Sequence, residues 1–194
     1  MQAFIIAGSR NTEGRTARCA NAIAKGLAKA GGKSEIVFLP TLKLERCRQC
    51  DPDGWGVCRR EGYCVIKDDF DSVVEKLKAA DVAVFANPVY FRDLSESVKT
   101  FLERLRRISF RQQKPPMQGK PAIGVCLAGG GGGGAPSACF NLETILQMIG
   151  FDTVDMINVR RQNIDIKIPM LEMTGEWLFT KPESGPMPPP PALR

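Results

Sequence analysis

Three loops hold most of the residues that could do chemistry in this 194-residue chain. The first is Gly8-Ser9-Arg10-Asn11-Thr12-Glu13-Gly14-Arg15-Thr16, at the start of a helical stretch. It offers backbone N–H groups, hydrogen-bonding side chains on Ser9, Asn11 and Thr16, and positive charge on Arg10 or Arg15. With Gly14 permitting close backbone approach, that combination suits a phosphate, although the spacing is neither G-x-G-x-x-G nor G-x-x-x-x-G-K-[ST]. The second loop, Asn87-Pro88-Val89-Tyr90-Phe91, ends an apolar run with an aromatic pair that either lines a planar ligand or simply buries area in the core. The third is a run of six glycines, Gly129 to Gly134, between a strand pattern and a helix pattern. A linker has no reason to lie between two elements that must pack together, so Gly129, Gly130 and Gly131 read as a close backbone approach to a ligand.

A fourth constellation is Cys47, Cys50, Cys58 and Cys64, spaced C-x2-C-x7-C-x5-C. Four soft donors this close can build a tetrahedral zinc site or hold a [4Fe-4S] cluster, or they are unligated thiols in a covering loop. The chain opens on a strand pattern with no export signal, so a cytoplasmic location is expected, where thiols stay reduced and available. Cys19, Cys126 and Cys139 fall within helix or strand patterns and read as small buried hydrophobes. Histidine is absent. That excludes Ser/His/Asp and Cys/His nucleophilic machinery and every His-ligated metal site.

The elements that must position these loops alternate. Ala3 to Ala7, Glu35 to Leu39, Val82 to Ala86, Ala122 to Ala128 and Thr153 to Val159 are short, mostly apolar runs of the kind buried on both sheet faces. Helical spacing separates them. Phe70, Val73, Val74 and Leu77 follow a cap at Asp68 or Asp69; Val98, Phe101, Leu102 and Leu105 follow Ser95; Leu142, Ile145, Leu146 and Ile149 follow Ser137. This is an α/β pattern, and five parallel strands suit a flavodoxin-like three-layer sandwich of order 2-1-3-4-5. Loops leaving the carboxyl ends of such strands bind ligands at the topological switch point, and the flat, phosphorylated ligand that best fits these loops is a flavin nucleotide.

One domain is expected over residues 1–181, with a cysteine-rich connection at 41–67. Residues 182–194 hold six prolines and are expected to form a loose tail. The net charge of +6 is dispersed, and Arg104, Arg106, Arg107 and Arg111 interleave with apolar positions, which points to a solvated face or an anionic cofactor and not to nucleic acid. Lys99, Glu103 and Arg104 read as surface or subunit-contact charges. No apolar run is long enough for a membrane span. Neither Thr41 to Lys67 nor a helix at Leu171 to Thr180 has an obvious place in one compact domain, which points to burial in a homodimer or homotetramer.

Taken together, GSRNTEGRT (8–16), CVIKDDF (64–70), ADVAVFANPVYF (80–91), SESVKTFLERL (95–105) and the glycine loop resemble the flavodoxin-like NAD(P)H-dependent FMN reductase family, close to its iron-sulfur flavoprotein branch. The resemblance implies FMN, with its phosphate on Ser9, Arg10, Asn11, Gly14, Arg15 and Thr16. It places Asn87, Pro88, Val89, Tyr90 and Phe91 along the isoalloxazine ring and Gly129 to Gly131 at its pyrimidine edge. It further implies NAD(P)H as co-substrate and a small-molecule electron acceptor or redox protein downstream. Two departures stand out: Arg15, where a small or amide residue is expected, and the length of the glycine run. In the iron-sulfur branch the first three cysteines have two residues in each gap, whereas here the second gap holds seven. The reading therefore favours free thiols over a cluster, with zinc a further alternative. A flavodoxin-type electron carrier is the rival function; such carriers are commonly acidic, and this chain has a pI near 9.0.

Overall fold

A computed structural model describes residues Met1–Thr180. Each apolar run forms its strand: β1 (Gln2–Ala7), β2 (Lys33–Phe38), β3 (Val82–Pro88), β4 (Pro121–Ala128) and β5 (Asp152–Arg160). All pairings are parallel, in the order β2-β1-β3-β4-β5. Alternation along the strands builds two cores. Phe4 and Ile6 of β1 face one way with Phe85 and Cys126, under helices α3 (Phe70–Ala79), α4 (Glu96–Ser109) and α5 (Ala135–Ile149). Ala3, Ile5 and Ala7 face the other way with Val84 and Val125, under α1 (Arg15–Lys29) and α6 (Ile164–Thr180). Fully burying one such Phe, Ile or Val contributes roughly 1.5–3 kcal/mol, so the two cores dominate the fold's stability and hold the strand ends rigid.

The helix starts refine the sequence expectation. Ser95 caps α4 as expected, its Oγ accepting from the Val98 N–H at 3.4 Å. For α3 the work falls to Asp68, whose Oδ1 accepts from the Phe70 N–H at 3.1 Å, while Asp69 occupies the cap position and turns its carboxylate to the Lys43 N–H at 2.7 Å instead of to the helix. Helix α5 begins at Ala135, which puts Ser137 inside its first turn; Pro136 stands where a missing N–H costs nothing. Helix α6 begins at Ile164, well before Leu171, and runs through Pro169.

Two segments expected to need a partner subunit have places within the chain. Helix α6 lies on α1 at backbone contact: a Cβ on Gly26 would sit 1.9 Å from the Glu172 carbonyl oxygen, and one on Gly175 would sit 2.2 Å from that of Ile23. Glu172 also pairs with Lys25 at 3.0 Å and with Lys29. The 41–67 segment folds along α4 and includes a short helix, α2 (Val57–Glu61). Among the described residues no helix is long and apolar enough to cross a membrane. The proline-rich stretch 182–194 lies outside the described residues.

Candidate functional site

The three loops meet at the carboxyl ends of β1, β3 and β4. Gly8 follows β1, and its N–H donates to Ala86 of β3 at 2.9 Å. Its carbonyl accepts from Ser97 Oγ at 3.2 Å, and a Cβ there would meet Val98 at 2.5 Å and Ser95 at 2.6 Å. Gly134 (φ +85°) brings the glycine loop against the β3 loop, where a Cβ would lie 2.5 Å from the backbone of Arg92. Only glycine suits that left-handed backbone at such an approach. Beside these contacts, a Cβ on Gly129, Gly130 or Gly131 would meet nothing within 4 Å. The loops therefore border a cradle at the strand ends that is open to solvent along its glycine side.

At the β1 end of the cradle, α1 starts at Arg15 with Gly14 as its cap residue and no side-chain bond to its first amides. No acidic side chain lies in its first turn. Those N–H groups and the positive end of the helix dipole are left for an anion. Ser9 Oγ accepts from the Asn11 N–H at 3.2 Å and Asn11 Oδ1 from the Glu13 N–H at 2.9 Å, so both side chains shape the loop. Arg10 and Arg15 are exposed, and Thr16 is buried.

The aromatic pair is not core. Tyr90 is 56% exposed and Phe91 fully exposed. They sit in a tight turn closed by Tyr90 N–H to Asp93 carbonyl at 3.1 Å and the reverse bond at 2.9 Å. Phe91 (φ +49°) and Arg92 (φ +66°) are both left-handed, which glycine or asparagine usually supplies. Asp93 secures the turn: it pairs with Lys99 and accepts from the Asn141 amide at 3.0 Å. The Lys99 hydrogen bond, opposed by partial burial, holds the Asp93 carboxyl below the usual range. Asn87 and Pro88 are buried, Val89 half-buried, and the Asn87 amide oxygen accepts from the Ser95 N–H at 2.9 Å. These residues support the turn from beneath.

The cysteine loop closes on itself. Within the seven-residue gap the Asp51 N–H donates to the Trp55 carbonyl at 3.0 Å, and Gly54 (φ +80°) donates to Asp51 at 2.8 Å. The two ends of this turn touch, since a Cβ on Gly56 would lie 3.0 Å from that of Cys50. With Asp51–Trp55 looped out, only Gly56 and Val57 separate Cys50 from Cys58 along the path of the chain. The two-residue gap is thus restored in space. Cys47, Cys50, Cys58 and Cys64 all line one small cavity of about 20 Å³, together with Arg104 and Arg107. Burial pushes the Cys58 thiol up, against the pull of Arg107. Among the described residues no three Cys, Asp or Glu side chains stand together as an ion's ligands. The donor set, four thiols on the wall of one cavity, is of the kind that suits a [4Fe-4S] cluster.

Arg104 departs most from its expected place on the surface. It is 1% exposed and binds the Asp68 carboxylate through Nη1 (2.6 Å) and Nη2 (3.0 Å). Nη1 also donates to the Glu45 carbonyl at 3.0 Å, and Nη2 reaches Cys64 Sγ at 3.4 Å. Burial pushes the Asp68 carboxyl up, but hydrogen bonds from Arg104 and from the Glu45 and Phe70 amides outweigh it and hold it below the usual range. One turn along α4, Arg107 donates to the Gly54 carbonyl at 2.5 Å and lies over the Trp55 ring, which stacks on Phe110. Sequence periodicity missed both arginines. Cys19, Cys126 and Cys139 are buried as expected, and burial raises the Cys19 thiol to about 12.

The family described as NADPH-dependent FMN reductase matches residues 1–163. The chain belongs to that family. An iron-sulfur flavoprotein of Methanocaldococcus jannaschii is 33% identical to it over 132 residues, covering 67% of this chain and 65% of the relative. One from Archaeoglobus fulgidus is 29% identical over 132 residues, covering 68% and 56%. This FMN reductase family member therefore spans between about half and two thirds of the length of these relatives. Among solved structures, the NAD(P)H:quinone oxidoreductase from Methanothermobacter marburgensis superposes with TM-score 0.72 at 18% identity, covering 92% of this chain and 96% of that one. A flavodoxin from Archaea superposes with TM-score 0.57 at 14% identity, covering 93% and 99%. Both share the fold.

Proposed function

We propose that the chain binds FMN across the three loops and acts as an NAD(P)H-dependent flavin oxidoreductase. Its electrons pass on to flavin, a quinone, another small-molecule acceptor or a redox protein. The observation that carries this reading is the cradle: uncapped α1 amides at one end, exposed Tyr90 and Phe91 on one side, and open space over Gly129 to Gly131 on the other. When bound, the flavin supplies hydride acceptance at N5 and onward electron transfer. The chain's own residues bind and orient. The α1 N–H groups with Ser9, Asn11, Gly14 and Thr16 hold the phosphate, and Arg10 and Arg15 add charge at its solvent side. Tyr90 and Phe91 bury their apolar faces against the ring, carried on a turn that Asn87, Pro88 and Val89 support. The glycine-loop amides face the pyrimidine edge, where they favour negative charge. Reconstitution with FMN and FAD, followed by steady-state NADH and NADPH oxidation, tests the reading. Binding of FAD alone, or of no flavin, would falsify it; FMN binding without NAD(P)H turnover would leave an electron carrier.

A second reading concerns the cysteine loop. We infer that Cys47, Cys50, Cys58 and Cys64 hold a [4Fe-4S] cluster, because the looped-out turn returns all four to one cavity lined by two arginines. About four irons per chain after anaerobic reconstitution is the expected result; one zinc per chain, or no metal, rejects it. For assembly, the expected homodimer or homotetramer draws support from Ile166, Met170, Met173 and Trp177, exposed along α6. Light scattering on the flavin-loaded protein decides it, and a monomer is the contrary outcome.

A further inference from the structure

The cysteine loop is a long excursion whose two ends must be brought together before its four thiols can act as one site. Arg104 does this. From its place on α4 it binds the Glu45 carbonyl, two residues before Cys47, and on the far side it binds Cys64 Sγ and the Asp68 carboxylate. Asp68 completes the clasp by accepting from the Glu45 N–H at 2.7 Å. The guanidinium lies over the Phe70 ring, its carbon 4.1 Å from the centroid, so one face is held as firmly as the rim. Arg104 also lines the cysteine cavity, and among the described residues its Nε is buried without a partner. Asp68 already balances the guanidinium's charge. What Arg104 adds at the cavity is a donor to one sulfur and a fixed position for it.

We propose that Arg104 is a positioning residue for a cluster on Cys47, Cys50, Cys58 and Cys64, fixing where Cys64 presents its sulfur and donating a hydrogen bond to it. The proposal rests on the cluster reading above. Hydrogen bonds to ligand sulfurs are among the levers that set a cluster's potential, and they favour the more negative, reduced state. Lysine keeps the charge but lacks the planar fork that serves Asp68 and Cys64 at once. Arg104→Lys should therefore keep its iron and FMN while its cluster reduces at a more negative potential than in the wild type. Removing the clasp in Arg104→Met, paired with Asp68→Asn so that no buried charge is stranded, should lose more than half of the iron and sulfide per FMN.

The full chain is purified anaerobically in all three forms. Iron, sulfide and FMN are measured, and the midpoint potential is followed by low-temperature electron paramagnetic resonance. An unchanged potential in Arg104→Lys overturns the proposal, whatever the double variant does, and this arm stands even if the double variant fails to fold. Wild-type protein that binds FMN but no iron removes the cluster reading and this inference with it. Wild-type protein with iron and an Arg104→Lys cluster of unaltered potential removes the inference alone.

Discussion

The cradle at the strand ends and the cysteine loop beside α4 are built by opposite means. In the cradle the backbone does the work: Gly8 and Gly134 bring three loops together, and Gly129 to Gly131 leave space where side chains would stand. At the cysteine loop the chain is long and irregular, and a few side chains reach far along the sequence to hold it. Arg104 meets Asp68, and Arg107 meets Gly54. A backbone-built site is rigid because its scaffold is a buried sheet, whereas a side-chain-built one depends on each clasp. One substitution should unmake the second far more readily than the first.

The sharpest way to break the contrast is Asp68→Ala, which strands the buried Arg104 charge. Losing one partner of a buried pair costs roughly 3–5 kcal/mol. Urea unfolding should show a loss of that size, with FMN still bound in the fraction that remains folded. Gly134→Val attacks the other region. A β-branched residue at φ +85° against Arg92 adds about 1–3 kcal/mol of strain at the cradle. FMN affinity should fall about 10–100-fold by fluorescence titration, since 1.4 kcal/mol is tenfold, while iron content stays that of the wild type.

Deleting Asp51–Trp55 probes whether the turn is an appendage. Cys50 and Gly56 already touch, so the iron-to-FMN ratio should hold. Stability should drop by about 1 kcal/mol for the lost Trp55–Phe110 stack. Loss of iron would mean that the turn helps to build the site. The smallest effect is expected at Asp93. Its depressed carboxyl supports the aromatic turn above the unfolded value of about 3.9 and loses that support as pH falls through its lower folded value. Asp93→Asn should weaken FMN binding about threefold at neutral pH, the scale of an exposed ion pair. FMN release on acidification below about pH 4 should then be flatter in the variant than in the wild type.

The same division explains what could be read from sequence. Each strand announced itself as an apolar run, and the loops after β1, β3 and β4 followed from the alternation, because sheet and crossover rules are local and repetitive. Arg104 could not be read that way. It lies on the flank of the Val98, Phe101, Leu102 and Leu105 stripe, where periodicity assigns solvent. Only the return of Asp68 from an irregular loop buries it. A hint was present in Asp68-Asp69, two adjacent acids of which α3 needs only one for its start. The gap between Cys50 and Cys58 misled because residue counts measure chain length and not distance, and a turn cancels the difference. Pro169 hid the first part of α6, since a proline usually stops a helix by removing one bond of its ladder.

The contact between α1 and α6 also sets an order of events during synthesis. The loop that would seat a phosphate leads straight into α1, and the side of α1 around Gly26 that meets Glu172 and Gly175 stays uncovered until α6 has been made. By then the ribosome has already delivered all five strands. A growing chain therefore holds α1 by its sheet side alone, and its second side is closed only when residues 164–180 follow.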